Sequence, residues 1–183
     1  MDIICGLGGW YCWGQVRPSR TIIEGLLKCN ELRGTDASGV AYLKDEEIFF
    51  YKDAIKASDL IGRLSTDDWL AMVSSPIGLI HARAQTKGDK LKSVNNHPVI
   101  GFGWVVVHNG MVTNDDDLYT YYKDQKRFAE VDTSAIPLIL SKADPADPAS
   151  IAEKLTILEG SATLAAWHLQ HPMRLTLARF GHN

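Results

Sequence analysis

Four places in the chain carry residues able to do chemistry: Cys5 at the head of Cys5-Gly6-Leu7-Gly8-Gly9, Arg83 closing an apolar run, the pair Asn109-Gly110, and Asp132 in Glu130-Val131-Asp132-Thr133. A thiol attacks as its thiolate, and an ordinary cysteine of pKa about 8.5 needs a neighbouring base or a lowered pKa to supply one at neutral pH. Each residue alone also has a plainer reading. A cysteine in an apolar strand is a small hydrophobe, Arg83 an ion-pair partner, Asp132 a helix N-cap and Asn-Gly a tight turn.

The surrounding pattern supplies the elements that must position them. Residues 3 to 10 read as a buried strand entering a glycine turn. Ser19 caps a predicted helix with Ile22, Ile23, Leu26, Leu27 and Leu32 at helical spacing and Gly34 beyond its end. Residues 38–43 and 47–52 flank Lys44-Asp45-Glu46 as a hairpin. Ile77 to Arg83 reads as a strand that turns polar, and Val99 to His108 as a strand pair broken by glycines, with Asn109-Gly110 as the next turn. This arrangement puts His81, Arg83, Asn109 and Gly110 at sheet edges. Asp115-Asp116-Asp117 reads as the solvated start of a helix rather than a metal site. Further helices are predicted over Thr133 to Lys142 and Ile151 to Leu158, and closing strands over Ala162 to Leu169 and Arg174 to Arg179, joined at His171-Pro172. Helices mixed with sequential hairpins argue an α+β class.

With 183 residues, 45% of them hydrophobic, the chain suits one domain with a substantial core. A formal charge of -3 and no basic cluster interleaved with aromatics give no footprint for nucleic acid or an anionic membrane. Three cysteines without a CxxC signal neither a disulfide framework nor zinc, so Cys12 and Cys29 are expected as packed thiols in a reducing, cytoplasmic setting. No apolar run is long enough to span a bilayer.

Six strings occur in a telling order: Cys5-Gly6-Leu7-Gly8-Gly9, Arg33-Gly34-Thr35-Asp36-Ala37-Ser38-Gly39, His81-Ala82-Arg83-Ala84-Gln85-Thr86-Lys87-Gly88, Asn95-Asn96-His97-Pro98, Val107-His108-Asn109-Gly110 and Glu130-Val131-Asp132-Thr133. Together they resemble the successive motifs of class II glutamine amidotransferase domains. Glu159-Gly160-Ser161-Ala162 and Leu175 to Arg179 are similar to the family's last strand pair.

The resemblance implies the N-terminal-nucleophile hydrolase fold, a four-layer αββα sandwich of two antiparallel sheets. It implies hydrolysis of L-glutamine to glutamate and ammonia through a Cys5 thioester, with the cysteine's own α-amine as base and no metal or organic cofactor. The side chain of Asn109 and the N–H of Gly110 would hold the oxyanion. Arg83 would pair with the α-carboxylate of glutamine and Asp132 with its α-ammonium. Thr86, Gly88 and Arg33 match binding or supporting positions, while His81, His97 and His108 are expected as hydrogen-bonded scaffold. A separate synthase subunit would accept the ammonia.

Three features depart from the family's pattern. Residues 1–4 precede the cysteine, so its α-amine exists only after they are removed, leaving a domain over 5–183. Ala84-Gln85 stands where relatives often have an aromatic and a small residue, and Lys87 where they often have histidine. Two other readings stay open: an unprocessed relative with a binding or regulatory role, and an N-terminal-cysteine amidohydrolase acting on another amide.

Overall fold

The computed structural model describes residues 5–181, and the leader at 1–4 lies outside the described residues. The strands are β1 (Gly6–Tyr11), β2 (Ala37–Lys44), β3 (Glu47–Asp53), β4 (Ile77–Arg83), β5 (Val99–Gly101), β6 (Trp104–Val112), β7 (Gly160–His168) and β8 (His171–Phe180). The helices are α1 (Arg20–Glu31), α2 (Ala57–Arg63), α3 (Thr66–Ser74), α4 (Asp115–Tyr121), α5 (Ala135–Leu140) and α6 (Pro148–Leu155), with short 3₁₀ turns at Ser93–Asn95 and Asp132–Ser134. The strands form two four-stranded sheets, ordered β1-β4-β2-β3 and β5-β6-β7-β8, in which every pairing is antiparallel.

Strand alternation makes the layers. Successive side chains point to opposite faces, so Ala41, Leu43, Leu79, Val105, Val107, Ala165 and Trp167 pack between the two sheets. Their neighbours on the first sheet, Val40, Tyr42 and Ile80, meet Ile23, Leu27, Leu60 and Met72 of α1, α2 and α3. On the second sheet, Trp104, Val106, Leu164 and Ala166 meet Leu118, Ile136, Ile139 and Leu155 of α4, α5 and α6. Central strands covered on both faces are therefore apolar along residues 40–43, 77–80 and 104–107. Each fully buried Leu, Ile or Val contributes about 1.5–3 kcal/mol relative to exposure. The result is the αββα sandwich that the motif order implies.

Ser19 caps α1, its hydroxyl accepting from Ile22 N at 3.3 Å, and the helix buries Ile23 and Leu27 while Ile22 and Leu32 face solvent. A capping box formed by Ser65 and Asp68 starts α3. Pro148 stands in the first turn of α6, which begins three residues earlier than the sequence pattern indicates and ends at Leu155. The predicted helix at Thr133 to Lys142 resolves into the Asp132–Ser134 turn followed by α5.

Several expected turns are elsewhere. The glycines after Cys5 do not turn; they lie within β1 because α1 packs against it so closely that a Cβ on Gly6 would sit 2.4 Å from the Asn30 carbonyl oxygen. Asn109-Gly110 is likewise inside β6, opposite Thr163 and Ala162, and the reversal between β5 and β6 falls at Phe102-Gly103, both of positive φ. The β2–β3 turn contains only Asp45 and Glu46, both also of positive φ, since Lys44 pairs with Glu47. Similarly, β7 and β8 join at Leu169-Gln170, with His168 paired to His171, so His171-Pro172 begins a strand. Finally, β4 and β6 are interior strands, which puts His81, Arg83, Asn109 and Gly110 toward strand ends rather than at sheet edges.

Candidate active site

The site lies where β1 begins and β4 and β6 end. Antiparallel pairing of Gly6 with Ala82 brings Cys5 beside the C-terminal end of β4, where Ala84 N donates to Cys5 Sγ at 3.3 Å. The Asp132–Ser134 turn packs against β6, and the Asp132 carboxylate accepts from Val112 N at 2.8 Å. Cys5, Arg83, Thr86, Asn109, Gly110 and Asp132 consequently line one cavity of about 380 Å³. A larger, mainly apolar cavity of about 690 Å³ between α6 and β8 contains no cysteine. Volume thus points away from the chemistry, and the polar convergence of the smaller cavity identifies the candidate site.

Arg83 is 3% exposed. Nη1 donates to Asn96 Oδ1 at 2.8 Å, and Nη2 to the carbonyl oxygens of Lys87 and Gly88, the latter at 2.9 Å. These acceptors are neutral, and among the described residues Arg83 forms no ion pair, which removes the ion-pair reading. Burial pulls its pKa below the ordinary arginine value, opposed by Cys5, Asp36 and Asp132. Asp132 is 5% exposed, and burial alone would raise its pKa. The His108 ring and the N–H groups of Val112 and Thr133 outweigh burial and keep it below the usual carboxylate value.

Burial pushes the Cys5 thiol above its ordinary pKa, while the Ala84 N–H and the Arg83 charge pull it down. The thiol therefore needs a base. The Asn109 Oδ1 atom is buried and has no hydrogen-bond partner among the described residues. Gly110 adopts φ +133°, and a Cβ there would lie 2.1 Å from Ser161 O, a close approach only glycine allows.

Gly88 and Arg33 do not line the cavity. Gly88 supports Arg83 through its carbonyl, and exposed Arg33 donates from Nε to Cys5 O at 3.1 Å. The sequence reading also missed residues that do line it, including Ser161 and Lys87. Lys87 was legible as a departure from the motif pattern, and Ser161 only as part of the string Glu159-Gly160-Ser161-Ala162, with no role in the site assigned to it. His97 and His108, which also line the cavity, are hydrogen-bonded as expected of scaffold. Asp115 is a correction: it is 3% exposed rather than solvated, and its Oδ2 receives Lys87 Nζ at 2.6 Å and the Arg127 guanidinium. Among the other cysteines, Cys12 is partly buried against the helix-side core of the first sheet, but Cys29 is exposed and not packed.

No family model matches the chain. The glutamine–fructose-6-phosphate aminotransferase (isomerizing) of Clostridium perfringens is 31% identical over 183 residues, covering 96% of this chain and 28% of the relative. The enzyme of the same name from Corynebacterium efficiens is 32% identical over 191 residues, covering 96% of this chain and 30% of its own length. The chain thus spans less than a third of these curated relatives. Among solved structures, one titled the allosteric regulatory enzyme of purine biosynthesis superposes with a TM-score of 0.72 at 15% identity, covering 96% of this chain and 37% of that one. A glutamine phosphoribosylpyrophosphate amidotransferase from B. subtilis gives 0.65 at 18% identity, covering 91% and 35%. At such identities the superpositions establish the fold. Among the described residues no helix is long and apolar enough to cross a membrane.

Proposed function

We propose that this chain, a class II glutamine amidotransferase domain by sequence and fold, hydrolyses L-glutamine to glutamate and ammonia and passes the ammonia to a separate synthase subunit. One observation carries the reading. Arg83 and Asp132, buried and opposite in charge, line the same cavity as the Cys5 thiol without pairing with each other. Buried charges are costly unless partnered. A free amino acid supplies both partners, its α-carboxylate for Arg83 and its α-ammonium for Asp132, and leaves its side-chain amide to extend toward Cys5.

In the proposed reaction, removal of residues 1–4 exposes the α-amine of Cys5, which titrates near 7.7–8.0 and so keeps a sizeable neutral fraction at physiological pH. It takes the thiol proton, and sulfur attacks the carboxamide carbon. Asn109 and the Gly110 N–H stabilise the oxyanion. Collapse breaks the C–N bond, the proton held by the α-amine passes to the departing nitrogen to give ammonia, and water then hydrolyses the thioester to glutamate. Thr86 borders the substrate, while Gly88 and Arg33 brace Arg83 and Cys5. The proposed setting is the reducing cytoplasm, consistent with three free cysteines.

The test combines intact mass, N-terminal sequencing and ammonia release. Active protein should begin at Cys5, and both Cys5→Ala and protein retaining residues 1–4 should be inert. Full-rate ammonia release by chains retaining the leader would overturn the assignment of the base. Unchanged glutamine turnover by Arg83→Ala and Asp132→Ala would overturn the substrate.

A further inference from the structure

At the wall of the cavity, lined by His97 and His108, three histidines including His81 are buried together. His81 stacks on His97 with ring centroids 4.0 Å apart, and His97 and His108 flank the hydroxyl of Thr133. Thr133 Oγ1 lies 2.7 Å from His97 Nε2 and 2.8 Å from His108 Nδ1, while His108 Nε2 lies 3.5 Å from Asp132 Oδ2. His97 Nδ1 and His108 Nε2 have no hydrogen-bond partner. Burial holds His97 neutral by driving its pKa well below the ordinary value, and His81 neutral by driving its own to about 3.

Proton counting orders this cluster. A hydroxyl has one proton, so Thr133 donates to one ring nitrogen and accepts from the other. If His97 Nε2–H donates to Thr133, then Thr133 donates to His108 Nδ1. The remaining His108 proton is on Nε2, directed at Asp132. In the reverse order, a bare His108 Nε2 lone pair faces the Asp132 carboxylate, and the His97 Nδ1–H is buried without an acceptor. If both rings donate to Thr133, its own proton is stranded and the lone pair again faces Asp132. Of these three orders between neutral rings, the first alone turns an N–H rather than a lone pair toward the carboxylate. His81 is fixed independently, because its Nε2 lies 2.9 Å from the His108 carbonyl oxygen and must donate to it.

We infer that His97 and Thr133 are positioning residues: they lock His108 in its Nε2–H tautomer, so that an N–H dipole faces the Asp132 carboxylate and orients it for the substrate ammonium. The last step rests on the glutaminase reading, whereas the tautomer does not. The relay also accounts for a threonine immediately after Asp132, since the same short turn carries both the receptor carboxylate and the hydroxyl that orders its neighbour.

The experiment is histidine ¹⁵N–¹H correlation spectroscopy on the full chain without ligand, alongside glutamine kinetics of protein beginning at Cys5 as wild type, Thr133→Val and Thr133→Ser. His108 should be protonated on Nε2 in wild type and in Thr133→Ser. In Thr133→Val, which keeps the shape but loses the hydroxyl, the tautomer should become mixed. KM for glutamine should then rise about tenfold with kcat changed less than about twofold, as for a weakened ground-state contact. His108 protonated on Nδ1 in wild type would overturn the inference, and so would a Thr133→Val protein with both tautomer and KM unchanged. If no variant, nor wild type, turned over glutamine, the spectra would still decide the tautomer, and only the proposed reaction would fail.

Discussion

Lys87 Nζ lies 2.6 Å from the buried Oδ2 of Asp115, tying the segment after β4 to the start of α4. The same segment supplies the Lys87 and Gly88 carbonyls that hold the Arg83 guanidinium. Its other side is fastened by Asp36, which accepts from Gln85 N at 3.0 Å and pairs with Lys90 Nζ at 2.7 Å. Position 87, where the motif pattern departs from histidine, therefore braces the putting-in-place of Arg83 instead of reaching only into solvent. Lys87→Met is expected to raise KM for glutamine several-fold with kcat nearly unchanged. Asp115→Asn, which leaves two cations facing a neutral amide, should also cost about 1–2 kcal/mol of stability, the partial exposure of both cations having been discounted. Steady-state kinetics and urea denaturation check both.

Removing the Asn109 amide leaves the backbone of β6 intact but takes one donor from the proposed oxyanion site. Asn109→Ala should lower kcat by about 10²–10³-fold while changing KM much less. An equal loss in binding, measured by calorimetry on Cys5→Ala protein, would assign Asn109 to ground-state recognition instead.

Gly110→Ala should be a folding defect before it is a catalytic one. A methyl group there meets Ser161 O at 2.1 Å, and φ +133° is strained for any side chain. Loss of about 2–3 kcal/mol is expected, read as a lower Tm.

The Asp132 carboxyl should stay ionised to lower pH than a free carboxyl, because its pKa is lowered by His108 and two backbone N–H groups despite burial. Since the folded value lies below the unfolded one, the stabilisation is present above the unfolded pKa of about 3.9 and is lost as pH falls through the folded value. Carboxyl-carbon NMR titration should give a midpoint below 3.9, and a midpoint above it would contradict the arrangement.

Cys5 should alkylate more slowly than exposed Cys29 at neutral pH, with a pH midpoint above the ordinary thiol value, because burial disfavours the thiolate. Iodoacetamide labelling followed by peptide mass spectrometry reads both rates. Protein beginning at Cys5 should label faster near neutral pH, since the freed amine can take the thiol proton.

What the sequence by itself determined was local or carried by ordered motifs: the Ser19 cap, the two-faced apolar runs of β2, β4 and β6, the hairpin before Glu47, and the series of strings from Cys5 to Asp132. Caps and alternation act between residues a few positions apart, so they are visible along the chain. What only the tertiary structure decided depends on partners far away in sequence. The glycines after Cys5 look like a turn until α1 is packed on them, and Asn109-Gly110 looks like one until β7 pairs across it. An aspartate triplet looks solvated until Lys87 and Arg127 close over Asp115. Likewise, His97, His108 and Thr133 form one cluster only after the sheets stack, because hydrogen bonds and desolvation are fixed by distance in space rather than by separation along the chain.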